Sequence, residues 1–146
     1  MVGQVGVTLM IDTVPSQDFF DKYITPGQFD MVLFTWIGTP FPISSTKSIF
    51  ASPVKDAKGE LAIQQNYGRI GSQEIDRLFI QATQELDRQK AIDLANQIDG
   101  LIWSEVHSLT LYQRPDIWVT KKELANFGAW GFASPPPYED IGWAKK

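Results

Sequence analysis

The chain has 146 residues, 43% hydrophobic and 21% charged, which is globular composition and length enough for one domain with a real core. Thirteen basic against seventeen acidic residues give a net charge of −4, and no Lys/Arg cluster carries interleaved aromatics, which argues against a nucleic-acid partner. The absence of cysteine excludes disulfides, thiolate metal sites and cysteine nucleophiles together, and no run approaches the roughly 18 apolar residues of a membrane-spanning helix.

Val5, Val7, Leu9 and Ile11 alternate, with Met10 added, and predict a first strand that Pro15 ends. Ser16 reads as a helix cap, Asp18 falls in the first turn, and Phe19, Phe20, Tyr23 and Ile24 share one face before Pro26 and Gly27 stop the helix. Met31, Val32, Leu33 and Phe34 are apolar without alternation, which predicts an inner strand covered on both faces. Residues 5 to 37 therefore spell a βαβ unit with parallel strands and a right-handed crossover.

That run empties into Trp36, Gly38, Thr39, Pro40 and Pro42, none of which continues a sheet well. The crevice beyond the carboxyl ends of strands is where α/β sheets hold ligands, so Trp36 reads either as a ligand wall or as a core plug. Residues 39 to 71 read as mostly irregular, with one helical turn near Ser45 to Phe50 and a turn at Asp56 to Gly59.

Two helices follow. Ser72 caps the first, whose stripe is Ile75, Leu78, Phe79, Ala82 and Leu86; Asp87 caps the second, with Ala91, Leu94, Ala95, Ile98 and Ile102. Joined almost without a loop, they are expected to pack as neighbours or to cross at an angle, each turning its stripe to the sheet. Leu109 to Tyr112 and Ile117 to Val119 read as terminal strands. The Gly-, Pro- and aromatic-rich tail from Phe127 to Trp143, with Pro135, Pro136 and Pro137, is expected to drape over other structure.

Chemistry-bearing patterns are sparse. His107 is the one histidine, with Glu105 nearby, and reads as a surface or satisfied core imidazole. Asp12, Asp30, Asp76, Asp87 and Glu105 are scattered, with Asp76 and Asp87 helical or capping. No serine is marked as a nucleophile, and Gly68-Arg69-Ile70-Gly71 lacks the lysine and preceding strand of a phosphate loop. The reading is a binding protein and not an enzyme, with no catalytic residue, no metal and no cofactor.

The order in which FDMVLFTW is followed by a Pro-rich loop, Asn66-Tyr67-Gly68, Ile75-Asp76-Arg77-Leu78 with Ala82, and Glu85-Leu86-Asp87-Arg88 resembles the C-terminal part of family 5 extracellular solute-binding proteins. Leu109-Thr110-Leu111-Tyr112, Asn126-Phe127-Gly128 and Ile141-Gly142-Trp143 are similar to the way such chains finish, and the actinobacterial lipoprotein branch is the nearest in pattern. The resemblance implies an α/β fragment of a two-lobed, type II periplasmic-binding-protein-like fold: the βαβ unit, the helix pair and the terminal strands. Residues 1 to 115 would belong to the C-terminal lobe and residues 116 to 146 would return to the N-terminal lobe. A signal and a lipidated Cys would lie upstream of Met1, placing the full-length protein, lipid-anchored, on the outer face of the cell membrane.

The implied partners are an oligopeptide or similar small solute and a membrane ABC permease. Peptide-binding members carry, after the Trp, an Asp that pairs with the peptide α-ammonium group. Here Trp36 is followed by Ile37-Gly38-Thr39-Pro40-Phe41-Pro42, without a carboxylate. An ammonium group buried without an anion is costly, so the site is expected to be apolar, with Trp36 and Phe41 as walls and Thr39 as a polar handle. The alternative the resemblance allows is an envelope lipoprotein of the same fold, regulatory or glycolipid-binding, acting in phosphatidylinositol mannoside assembly.

Overall fold

The computed structural model describes residues 2–115, 117–128 and 138–144. The chain divides into two compact units, Met1–Phe34 and Thr35–Lys146.

In the first unit a 3₁₀ turn, Val2–Val5, leads through irregular chain into α1, Ser16–Asp18, which passes directly into a π-helix, Phe19–Ile24. Pro15, not Ser16, occupies the cap position, and no side chain caps the helix. The wide-turn pattern continues beyond the π-helix, with the Thr25 amide donating to the Phe20 carbonyl at 2.9 Å and that of Gln28 to Tyr23 at 2.7 Å. Gly27, at φ +82°, then turns the chain out. Ile24 is the buried side chain here, and Phe20 sets its ring edge-on to Phe19 and Phe34 at centroid distances of 5.1 and 5.7 Å.

The two strands expected in this unit do not form. Residues 7–15 and 32–34 form no regular element and lie in no ladder among the described residues. Met31 and Leu33 are 73% and 77% exposed while Val32 and Phe34 are half-buried, so the segment is one-sided and not an inner strand. The reason is physical: a strand bonds its N–H and C=O groups to a neighbour, and apolar sequence alone provides none. The βαβ unit is thereby corrected to a short helical segment flanked by chain without regular structure.

The second unit is mixed. α2, Pro42–Phe50, is a full helix where a single turn was expected, started by a proline whose lost N–H has no intrahelical use. Strands β1, Val54–Lys55, and β2, Leu61–Ala62, form an antiparallel hairpin around the predicted turn. Asp56 makes that turn: its carboxylate accepts from the Lys58 and Glu60 amides at 2.8 and 2.9 Å, with Gly59 at φ +84°.

Helices α3, Gln73–Gln84, and α4, Arg88–Ser104, carry the expected caps. Ser72 Oγ accepts from the Ile75 amide at 3.3 Å and Asp87 Oδ1 from that of Lys90 at 3.0 Å. Ile75, Leu78, Phe79 and Ala82 of α3 meet Ile98 and Ile102 of α4 in one buried cluster, against which Ile43 and Phe50 of α2 also pack. The stripes thus face one another and α2, not a sheet. Leu86, expected on the α3 stripe, lies past the helix end and is exposed.

Two ties join α3 to the chain after α2. The Ser52 amide donates to Asp76 Oδ1 at 2.8 Å, and at Gly71 an added Cβ would stand 2.8 Å from Ser52 Cα, so only glycine fits there. On the exposed surface of α3, Arg77 grips the Glu74 carboxylate through Nε and Nη2; that hydrogen bond lowers the Glu74 pKa and raises the Arg77 one.

Residues 109–112 and 117–119, expected as terminal strands, are exposed and lie in no ladder. The strands found near the end are instead β3, Leu124–Ala125, and β4, Gly142–Trp143, paired antiparallel. The Pro135–Pro137 segment lies outside the described residues. Among the described residues no helix is long and apolar enough to cross a membrane.

Candidate functional site

Trp36, Thr39 and Phe41 fall on the stretch that leads into α2. Trp36 is 41% exposed and lays its ring parallel to that of Tyr67, with centroids 5.8 Å apart and planes 3° from parallel. It is therefore neither sealed in a core nor placed at the exit of an inner strand. The pair presents a broad apolar surface with a phenol at one side.

Thr39 behaves differently from the polar handle expected of it. Its hydroxyl donates to Ser45 Oγ at 3.0 Å and accepts from the Phe41 amide at 3.2 Å, so it braces the entry to α2. Its one O–H is committed; a remaining lone pair is what it offers a ligand. Phe41 stands at the N-cap position of α2 and is exposed.

Tyr67 follows Asn66, the one buried polar side chain among the described residues. Asn66 Nδ2 donates to the carbonyls of Ala51 at 2.9 Å and Ile70 at 2.7 Å, and Oδ1 lies 2.9 Å from His107 Nε2. Its own amide donates to Ile63 and its carbonyl accepts from Arg69, so every polar group of Asn66 is bonded.

The imidazole of His107 also meets Phe50 of α2 at 5.0 Å. Its Nδ1 is buried without a partner, and burial lowers its pKa from the ordinary value. The sequence suggested a surface or satisfied core imidazole; His107 is instead half-buried, with Nε2 bonded and Nδ1 not.

His107 reaches its place through an unusual helix end. The Val106 and His107 amides donate back to the Trp103 and Ile102 carbonyls at 3.1 and 3.4 Å, a Schellman closure of α4. The residue that adopts the left-handed conformation there is Val106, at φ +52°, where glycine is usual.

Three of the carboxylates serve structure. Asp76 and Asp87 hold the Ser52 and Lys90 amides, as their helical and capping pattern suggested, and Asp56 holds its turn. Among the described residues no three His, Cys, Asp or Glu gather as a metal site.

No family model matches the chain. Over 145 residues, 99% of the chain, it is 41% identical to the oligopeptide-binding protein OppA of Mycobacterium bovis and of two strains of Mycobacterium tuberculosis. Along nearly its whole length the chain is therefore similar to these oligopeptide-binding proteins. It spans 23% of the length of those relatives. Sequence reasoning picked out Trp36, Thr39 and Phe41 as one stretch but missed Tyr67 as the partner of Trp36. The Asn66-Tyr67-Gly68 run that helped carry the resemblance was the available signal.

Proposed function

We propose that the chain is the C-terminal part of the substrate-binding component of an ABC importer, taking an oligopeptide or similar small solute to a membrane permease. The observation that carries this reading is the 41% identity to oligopeptide-binding proteins along nearly the whole chain. The half-exposed Trp36 on Tyr67 supplies a surface suited to an apolar side chain. Phe41, exposed at the start of α2, would serve as a second apolar wall, and Thr39 would contribute an acceptor. Binding would act by shifting an open–closed equilibrium of two lobes, without covalent chemistry and without a cofactor. The full-length protein would sit at the outer face of the membrane on a lipid anchor.

The missing carboxylate between Ile37 and Pro42 makes the ligand one that does not rely on this loop to neutralise a free α-ammonium group. The same feature favours a second reading, an envelope lipoprotein that binds a glycolipid in phosphatidylinositol mannoside assembly. Titration of the full-length protein with a defined peptide pool, following Trp fluorescence, tests the first reading. The expected result is a saturable change that weakens at least tenfold in Trp36→Ala, about 1.4 kcal/mol. Saturation by phosphatidylinositol mannoside and not by peptide would replace import with the second reading. No response to either would remove both.

A further inference from the structure

Asn66 and His107 are not among the groups assigned to ligand, yet Asn66 precedes the ring on which Trp36 rests. We propose that His107, acting through Asn66, is the positioning residue of the Trp36–Tyr67 wall, and that only its neutral, Nε2-protonated form holds that wall in place. The functional significance of the wall rests on the solute-binding reading; the positioning itself does not.

The tautomer follows from bond accounting. Both N–H groups of the Asn66 amide are taken by the Ala51 and Ile70 carbonyls, so the atom turned to His107 is the acceptor Oδ1. His107 Nε2 must therefore carry the hydrogen. Nδ1 then holds a bare lone pair, buried and unpaired. Protonating it places an N–H where no acceptor stands, so the imidazolium is driven toward water and leaves Asn66 Oδ1. Asn66 pins the chain at Ala51, Ile70 and His107 at once, and Tyr67, one residue on, moves with it.

Charge does not supply an alternative explanation. The elements around the imidazole are α2 through Phe50, the 66–71 loop through Asn66 and Gly68, and the end of α4 through Val106. Their ionisable groups are Lys47 on α2, Tyr67 and Arg69 on the loop, and Asp99 and Glu105 on α4 and at its end. Arg69 Nη1 is turned to the Tyr67 carbonyl at 2.8 Å, and burial is what lowers the His107 pKa. A folded-state pKa below the unfolded value of 6.5 means that the unfolded chain takes the proton first. The contribution of His107 is then fully present above that value and is lost as pH falls through the lower folded one.

The test labels the protein with 5-fluorotryptophan and follows the Trp36 fluorine resonance, assigned by Trp36→Phe, from about pH 7 to about pH 5. Helical circular dichroism monitors the fold. The wild-type Trp36 resonance is expected to shift as pH falls, with a midpoint below 6.5. In His107→Gln, whose neutral amide supplies an N–H in place of Nε2–H, it is expected to stay at its neutral-pH position throughout. In His107→Ala it is expected to be displaced at every pH. An unmoved Trp36 resonance in a folded His107→Ala, or a pH shift that persists in His107→Gln, overturns the proposal. A peptide-pool titration of the same sample separates the two readings. A resonance that follows pH but ignores peptide sinks the ligand-wall role and leaves the positioning standing, whereas one that follows peptide but ignores pH sinks the positioning.

Discussion

The strand-patterned segments 5–11, 31–34 and 109–119 are richer in apolar residues than the helix pair α3–α4, yet it is the helices that bury theirs. In the helices Leu78 and Phe79 are each 2% exposed, whereas in the segments Ile11 and Val119 stand 87% and 93% exposed. A helix satisfies its backbone from within and needs only a neighbour for its stripe, which α3 and α4 provide for each other. A strand must import half of its hydrogen bonds as well as its packing partner. Local sequence therefore completes the first kind of element and merely prepares the second.

The contrast breaks most visibly at its buried side. Phe79→Ala should cost about 3–5 kcal/mol, read as a lowered urea midpoint of helical circular dichroism, because a cavity opens between α3 and α4. A loss below ~1 kcal/mol would mean that the helix pair is no better packed than the segments. Next come the caps: Ser72→Ala and Asp87→Ala should each cost about 1 kcal/mol, and should add, since they serve different helices.

A gain of similar size, about 1 kcal/mol, is expected in Val106→Gly, which relieves a β-branched residue at φ +52° while leaving the Schellman bonds in place. Unchanged or lower stability there would show that the Val106 side chain contributes contacts that outweigh its strain. Smallest of all should be Leu33→Lys, within about 0.5 kcal/mol, since the side chain is already 77% in water. A large loss would mean that this segment finds a partner in solution, and would bring the two classes of element together.

Much of the second unit could be read in advance. Ser72 and Asp87 announced themselves as caps because an N-cap is a local event: an oxygen accepts from an amide a few residues on. The helical stripes and the turn at Asp56 were legible for the same reason. The π-form of Phe19–Ile24 was not, since a wide turn and an ordinary one share nearly the same apolar spacing. At the candidate site the sequence offered Trp36, Thr39 and Phe41 as a stretch. It could not show that the Thr39 hydroxyl is absorbed in bracing α2, because that depends on where Ser45 turns.

By itself the sequence determined helices α3 and α4, their caps, the hairpin turn and the likeness to solute-binding proteins, all carried by residues close in the chain or in fixed order. Only the tertiary structure decided that the stripes face each other, that Trp36 lies on Tyr67, and that Asn66 meets His107 across 41 positions. A buried hydrogen bond between distant residues has no period and no local partner, so nothing along the chain records it until the fold brings its ends together.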